Sequence, residues 1–167
     1  DKQDPVLREQ FQKDIFIQLK NKNLEVWYCA ESGFLADPRP RRVWAIKGSK
    51  VKTTRTNQHL RETVVGAVCP QSGALSAIVI NHVDTDVFQA FLDQLASETE
   101  GKNVILVLDN ASWHKAKKLK WHNLQPLYLP PYSPDLNPIE RLWLVAKDRY
   151  FTQWYTRERE ALIDRVC

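Results

Sequence analysis

Five consecutive apolar residues at positions 104–108, Val-Ile-Leu-Val-Leu, are the feature that most narrows what this chain can fold into. A strand without polar alternation is buried on both faces, and such strands belong to sheets with parallel pairing that helices cover on both sides. The run ends abruptly at Asp109. Because ligands of open α/β sheets bind beyond the carboxyl ends of the parallel strands, Asp109 is predicted to border a site.

The segments around this run predict an α/β domain. Helices are predicted after Asp84 or Thr85 and after Asn137, where a capping residue precedes an apolar stripe. The other predicted elements are an amphipathic helix over 6–19, strands over 24–29, 62–69, 75–80 and 126–129, and a short helix over 113–120. This order predicts a mixed sheet between helices, with an antiparallel meander on one side and parallel pairing on the other.

Length and composition narrow the class of protein. The chain has 167 residues, enough for one domain with its own core, and its net charge of +4 permits a polyanionic partner without requiring one. Its apolar runs are far shorter than the roughly 20 residues of a membrane helix. Three widely spaced cysteines cannot form a disulfide framework, so we expect the protein in a reducing compartment inside the cell. Because the chain contains no Met, even at position 1, we expect a piece of a longer protein.

Two readings of Asp109 are open from its neighbours. It can begin an Asx turn with Asn110, or it can take part in chemistry at the end of the strand. The following segment is cationic, with lysines at positions 115, 117, 118 and 120 that could hold a phosphate backbone. A lysine-rich stretch is also typical of a solvated face. His114 in this segment could touch a scissile phosphate, shuttle a proton or simply hold the loop.

Glu140 follows a stiff loop, since five of the nine prolines lie between positions 126 and 138. A Glu in the first turn of a helix also stabilises the helix by about 0.3 to 1 kcal/mol through its interaction with the helix dipole. This would explain Glu140 without a catalytic role. A metal site that needs accurate ligand placement explains the elaborate loop better. Carboxylates at Asp109 and Glu140 suit Mg²⁺ or Mn²⁺, and two-ion phosphodiester chemistry calls for a third carboxylate near a strand beside 104–108.

A basic segment between Pro38 and Glu62 supplies most of the positive charge. It has eight basic residues and no acidic one: Arg39, Arg41, Arg42, Lys47, Lys50, Lys52, Arg55 and Arg61. The segment is predicted to be an exposed loop that follows a DNA backbone, with a merely solvated loop as the alternative. Four tryptophans could stack on unpaired bases, although we expect most of them in the core: Trp44, Trp113, Trp121 and Trp154.

Three stretches, in order along the chain, resemble one known family. They are RVWAIKG at 42–48, VLDNASWHK at 107–115 and LPPYSPDLNPIERLW at 129–143, and the resemblance covers about 24–151. They are similar to the catalytic domain of bacterial transposases of the insertion sequence 630 family, relatives of the mariner transposases. The resemblance implies a ribonuclease-H-like α/β fold with a mixed five-stranded sheet flanked by helices. It also implies Mg²⁺-dependent DNA cutting at element ends and transfer of the 3′ hydroxyl into a target.

By this resemblance, Asp109 and Glu140 match the second and third ligands of an Asp-Asp-Glu triad, which holds two Mg²⁺ or Mn²⁺ ions when intact. The first acidic position is occupied by Ala30, whose methyl group binds no metal. Three explanations are open: an engineered Asp to Ala change, a naturally inactive copy, or a shifted role for Glu31. Strand alternation predicts that Glu31 points to the opposite face from residue 30, so a disabled site is favoured.

The sequence thus predicts a transposase catalytic domain over 21–167, disabled at Ala30, with a linker helix or upstream remnant over 1–20. The expected partner is double-stranded DNA, at transposon ends and target, in the bacterial cytoplasm near the nucleoid, and pairing two ends implies a homodimer. Predicted DNA contacts are Arg39, Arg41, Arg42, Lys47, Lys50, Lys52, Arg55, His114, Lys115, Lys117 and Lys118. The alternative is a non-catalytic DNA-binding or assembly module with the same fold. A nuclease acting on RNA hybrids is a third reading, which leaves the proline loop unexplained.

Overall fold

A computed structural model of the protein describes residues 3–37, 44–50 and 60–167. The helices are α1 (Pro5–Leu19), α2 (Thr85–Glu98), α3 (Pro138–Tyr150) and α4 (Arg159–Val166). The strands are β1 (Leu24–Leu35), β2 (Arg61–Cys69), β3 (Ala74–Ile80), β4 (Asn103–Leu108) and β5 (Leu124–Tyr128). Two short 3-10 turns cover Ser112–Lys115 and Pro134–Leu136.

The five strands form one mixed sheet in the order β3-β2-β1-β4-β5. Strand β2 runs antiparallel to β1 and β3, and β4 runs parallel to β1 and β5, which confirms the predicted meander and parallel half. Strand β1 pairs with β4 only as far as Tyr28 but continues along β2 to Leu35. The second half of β1 therefore extends past the end of β4, and a step forms there at the edge of the sheet.

Helix α2 covers one face of the sheet and builds the largest part of the core. Its buried side chains pack against Trp27 and Cys29 of β1 and against Leu106 and Leu108 of β4; they are Phe88, Phe91, Leu92 and Leu95. Full burial of each such side chain stabilises the fold by roughly 1.5 to 3 kcal/mol. The apolar run at 104–108 is buried throughout, as a strand covered on both faces requires.

Helices α1, α3 and α4 cover the opposite face. Ala30 and Phe34 of β1 pack against Ile139 and Trp143 of α3 and against Leu162 of α4. Trp143 also fixes the distance of α3 from the sheet, because its ring lies over the backbone of β2. A Cβ atom built on Gly66 would approach Cη2 and Cζ2 of Trp143 to 2.9 Å. The first turn of α3, which carries Glu140, is thus held close to β1 and β2.

Helix α1, which the sequence suggested as a linker, packs on this same face. Phe11 and Ile15 are buried against a cluster that includes Val26, whereas Leu7 and Leu19 are exposed. The apolar residues at steps of four were predicted to share one face of α1, but the first and last of them do not face the sheet. In a helix with 3.6 residues per turn, each step of four residues rotates the side chain by about 40° from the previous one. Only the middle pair therefore faces the sheet.

Other elements also differ from the prediction, and β1 is one of them, since it was predicted over 24–29 and continues to Leu35. The helix predicted over 113–120 is wrong beyond the 3-10 turn, because Ala116 adopts an extended conformation and stops it. Helix α4 was not predicted, since Leu162 is its single buried residue and no apolar stripe marks it. Three of the four tryptophans pack against core clusters, while Trp44 is fully exposed. Over the described ranges, no helix combines the length and the apolar character needed to cross a membrane.

The contact between Gly66 and Trp143 yields a stability prediction. Gly66→Ala should lower the free energy of unfolding by roughly 1 to 3 kcal/mol, because the added methyl group overpacks a buried ring. Gly33→Ala is the matched control, since its Cβ would meet only the tip of the flexible Arg61 side chain. Urea unfolding of both variants checks this. Equal stability of the two variants would contradict the account of how α3 is seated.

Candidate active site

A cavity of about 460 Å³ opens at the step where β1 passes the end of β4. It is lined by Ala30 from β1, Asp109 from the end of β4 and Glu140 from the first turn of α3. The three positions that the resemblance matched to an acidic triad therefore surround one cavity. Its remaining lining comes from the residues after Asp109, from the proline loop and from Asn137.

Asp109 is held by two hydrogen bonds to the same oxygen. Its Oδ1 accepts the backbone N–H of Ala111 at 2.9 Å and Nδ1–H of His114 at 2.8 Å. The first contact is the Asx turn anticipated as an alternative, and it coexists with a position at the cavity. The hydrogen bond from His114, together with that from Ala111, lowers the pKa of Asp109. The side chain is 60% exposed, so it presents an ionised carboxylate to solvent.

His114 bridges two carboxylates inside the fold. Its Nε2 lies 2.9 Å from Oε1 of Glu31, and the same oxygen accepts the indole N–H of Trp113 at 3.2 Å. The ring is fully buried, with its centroid 4.4 Å from that of Phe88. Burial alone would lower the pKa of His114, but the hydrogen bonds and charges of Asp109 and Glu31 raise it to about 9. The buried ring is therefore an imidazolium at neutral pH.

These contacts bear on two expectations. The prediction that His114 contacts DNA does not fit the structure, because the buried side chain has no exposed surface; it holds the loop instead. The prediction that Glu31 points away from the face of Ala30 is confirmed, since Glu31 bonds to Trp113 and His114 on the α2 side. Glu31 therefore lies on the face of β1 away from Ala30, with one carboxylate oxygen engaged there.

Glu140 is placed by the capping residue before it. The side chain of Asn137 accepts the backbone N–H of Ile139 at 3.4 Å, and its Nδ2–H donates to the carbonyl oxygen of Cys29 at 2.9 Å. Asn137 is buried, so this amide ties the start of α3 directly to β1, one residue before Ala30. The cap was predicted from the sequence. The bond to Cys29 was not, because nothing local marks a contact across 108 positions.

The proline loop is fastened at both ends. The amide of Asn110 donates to the carbonyl oxygen of Leu129 at 2.7 Å, which joins the loop after β4 to the loop after β5. Arg8 of α1 forms a bidentate ion pair with Asp135, in which its Nη1 and Nη2 donate to Oδ1 and Oδ2 at 3.0 and 2.6 Å. These contacts could not be predicted from the sequence, since each joins segments that are distant along the chain.

The electrostatics around Glu140 favour a bound cation. Burial raises the pKa of Glu140, the charge of Lys147 opposes this, and the charges of Asp109 and Glu31 raise the pKa further. Carboxylates that disfavour each other's ionised form in one cavity gain stability when a cation is shared between them. The arrangement can therefore attract a divalent ion.

The donor set fits such an ion only in part. Asp109 and Glu140 offer the hard oxygen ligands that Mg²⁺ and Mn²⁺ prefer, with water and phosphate oxygens to complete the shell. Within 3–37, 44–50 and 60–167, no group of three or more His, Cys, Asp or Glu side chains is arranged to hold a metal ion. Two carboxylates suit one weakly held ion, and they fall short of the two-ion arrangement that the resemblance implies.

The predicted cationic residues divide into three groups. Lys115, Lys117 and Lys118 are exposed; Lys115 donates to the cavity residue Asn110 at 2.6 Å, and Lys118 is paired with Asp86 at 2.5 Å. Lys47 and Lys50 are exposed in the segment 44–50. The other predicted DNA contacts lie outside the described residues: Arg39, Arg41, Arg42, Lys52 and Arg55.

Comparison with known proteins decides the family. A family model for the DDE superfamily endonucleases matches residues 25–163, which is most of the chain. The chain belongs to the DDE superfamily of endonucleases. The DDE domain is 33% identical over 106 residues to the uncharacterized protein y4pE/y4sA of Sinorhizobium fredii, covering 62% of this chain and 78% of that one. It is 27% identical over 129 residues to the uncharacterized 39 kDa protein of insertion element IS630 from Shigella sonnei.

Solved structures of Mos1 transposase share the fold of this DDE domain. The Mos1 strand transfer complex aligns with a TM-score of 0.74 at 18% identity, over 96% of this chain and 51% of that chain. The Mos1 mariner paired end complex with Mn aligns with a TM-score of 0.75 at 16% identity, over 99% and 55%. The predicted ribonuclease-H-like fold and the resemblance to the insertion sequence 630 and mariner group are confirmed. The match to the IS630 protein covers 74% of this chain and 38% of the IS630 protein. The chain therefore spans less than half the length of that relative.

The bridge between Asp109, His114 and Glu31 predicts how stability depends on pH. The pKa of His114 is raised from 6.5 to about 9, so its contribution is complete below pH 6.5 and disappears as pH rises through 9. The free energy of unfolding, measured by urea titration with a chelator present, should fall by about 2 to 3 kcal/mol across that window. His114→Gln removes the titrating group and should flatten the profile. A parent chain whose stability is constant from pH 6.5 to 9.5 would contradict the bridge.

Proposed function

We propose that this chain is the catalytic domain of a DNA transposase, acting on DNA strands at the cavity between β1, β4 and α3. The observation that carries the proposal is the meeting of Asp109, Glu140 and Ala30 around that one cavity in a member of the DDE superfamily. Asp109 and Glu140 are the proposed metal ligands. Ala30, whose methyl group offers no oxygen, leaves the site incomplete, and the chain as it stands is proposed to be inactive.

The side chains of this domain have separable tasks. A divalent ion at Asp109 and Glu140 would supply positive charge to polarise a phosphodiester and to activate an attacking oxygen. Asp109 stays ionised because His114 donates to it. Glu140 is carried to the cavity by the Asn137 cap. The exposed lysines Lys115, which contacts the cavity residue Asn110, and Lys117, two residues further along, are proposed to hold the DNA backbone.

Double-stranded DNA is the proposed partner. The net charge of +4 and the exposed lysines after Asp109 support it, as do the structural relatives solved as Mos1 complexes with a transposon end. Mos1 forms a paired-end complex, so we extend the proposal to a pair of these domains joining two DNA ends. We propose both the cutting and joining of DNA strands and this pairing of two domains for the whole protein.

A second candidate function is supported by Ala30 itself. A domain that keeps the fold and the cationic surface but lacks the first carboxylate can bind DNA or assemble with partners without cutting. The two candidates differ in whether Asp109 and Glu140 can still bind a metal ion and support cleavage when a carboxylate is present at position 30.

Restoring the missing carboxylate tests this directly. Ala30→Asp should tighten Mn²⁺ binding by roughly tenfold or more, because a third charged oxygen ligand is added to the same cation. The variant should also nick supercoiled DNA when Mg²⁺ or Mn²⁺ is present. Calorimetry measures the first effect and gel electrophoresis the second, for both the parent and the variant.

Two matched variants control this experiment. Ala30→Asn has the same shape without the charge and should leave Mn²⁺ affinity near that of the parent. Asp109→Asn in the Ala30→Asp background should remove both gains. If Ala30→Asp changes neither Mn²⁺ binding nor cleavage while DNA binding is intact, the catalytic proposal fails and the binding-module candidate stands.

A further inference from the structure

Helix α1 is joined to both ends of the proline loop, residues 129–137. Leu129, at the start of the loop, is buried in the same apolar cluster as Phe11 and Ile15 of α1. Leu136, near the end of the loop, packs against that cluster. Shared burial of apolar surface holds the helix and the loop together. The proposed reaction uses no residue of α1, so this association is not yet explained by it.

Two polar contacts give this association a direction. The Gln3 amide donates to the carbonyl oxygen of Tyr132 at 2.8 Å. Further along the loop, Arg8 forms its bidentate ion pair with Asp135. Two parallel hydrogen bonds between a guanidinium and a carboxylate fix orientation as well as distance. The Arg8 side chain is 20% exposed, so most of it is packed against the protein and little can swing into solvent.

The chain between Asp135 and Glu140 has little slack. The backbone N–H of Asn137 donates to the carbonyl oxygen of Pro134 at 3.0 Å, and that of Glu140 donates to the carbonyl oxygen of Asn137 at 3.1 Å. The φ angles of Pro134 and Pro138 are fixed by their rings. A displacement of Asp135 is therefore passed on to Glu140.

Two anchors hold this short segment, and they act differently. The buried Asn137 amide fixes one point of the segment on β1, through the carbonyl oxygen of Cys29. A single fixed point leaves the segment able to pivot. The second anchor, at Asp135, lies two residues earlier and is held by α1. Together the two anchors fix the direction in which α3 begins.

We propose that Arg8 is a positioning residue of the active site, which acts through Asp135 to hold the Glu140 carboxylate at the cavity that it shares with Asp109. This rests on the proposed function, because metal binding by Asp109 and Glu140 is the property that the placement serves. A metal ligand has to be held to within about 0.5 Å, and that accuracy comes from the residues that support it. Helix α1 is thus a supporting part of the site.

The first measurement needs no metal. In the chain as it stands, Arg8→Gln should make the backbone amides of Leu136 and Asn137 exchange with deuterated water about two- to fivefold faster, as loss of one surface ion pair implies. Lys13→Gln is the matched control, because it removes the same charge from the same helix, where Lys13 pairs with Glu9 at 2.7 Å. Its exchange rates, followed by NMR, should equal those of the parent.

The second measurement follows Mn²⁺ binding by calorimetry in the Ala30→Asp background. Arg8→Gln should weaken binding by roughly tenfold, the lower end of the loss caused by removing an outer-shell partner of a metal ligand. Simple loss of a positive charge has the opposite sign, because it makes the surroundings of the cation more negative. Lys13→Gln should therefore leave Mn²⁺ affinity unchanged or slightly higher.

A swapped pair separates the ion pair from other roles of Arg8. Arg8→Asp combined with Asp135→Arg keeps the net charge and restores a bidentate contact between α1 and the loop. The exchange rates and the Mn²⁺ affinity should both return toward the parent values. Urea unfolding of each variant verifies that the fold is retained.

The other outcomes overturn the proposal in distinguishable ways. Unchanged amide exchange in Arg8→Gln, or faster exchange with unchanged Mn²⁺ affinity, would refute the positioning role and leave the proposed function standing. A swapped pair that recovers neither value would show that Arg8 does not act through Asp135. If Ala30→Asp itself binds no Mn²⁺, the proposed function fails, and the positioning role fails with it.

Discussion

The arrangement of the cavity depends on one buried amide. Asn137 caps α3 with its side-chain oxygen and donates from its nitrogen to the carbonyl oxygen of Cys29 on β1. Leaving either buried partner without a hydrogen bond would cost about 1 to 3 kcal/mol, so the start of α3 and the middle of β1 are held in a single relative position. Because Glu140 is three residues after this amide and Ala30 is one residue after Cys29, the amide also sets how Glu140 and position 30 face each other across the cavity.

The second position is set from the other side of the sheet. Asp109 is oriented by a buried imidazolium, and the imidazolium is oriented by Glu31, which strand alternation directs to the α2 face. Two carboxylates therefore balance one buried cation, whereas on the opposite side burial raises the pKa of Glu140 against the opposing charge of Lys147. The supporting structure of an acidic site is present around Ala30. We propose that one side chain, at position 30, separates this site from an intact acidic triad.

Much of this structure could be predicted from the sequence. The buried run at 104–108, the Asn137 cap and the proline loop are local patterns, and they led to the sheet, to α3 and to Asp109 and Glu140 as a pair. Contacts between distant segments could not be predicted, and they include the bond of Asn137 to Cys29 and the bridge through His114. His114 was predicted either to contact DNA or to hold the loop, and the packing of its buried ring on Phe88 fits the second alternative. Helix α4 lacked a signal because one buried leucine makes no periodic pattern.

The central claim is that Asp109 and Glu140 form a divalent-ion site that lacks only the carboxylate at position 30. The most direct measurement is anomalous scattering from crystals of the Ala30→Asp variant soaked in Mn²⁺. The account predicts a manganese peak in the cavity, with carboxylate oxygens of Asp109, Glu140 and the introduced side chain about 2.0 to 2.3 Å away. Manganese bound elsewhere, or an empty cavity with Asp109 still bonded to His114, would contradict the account.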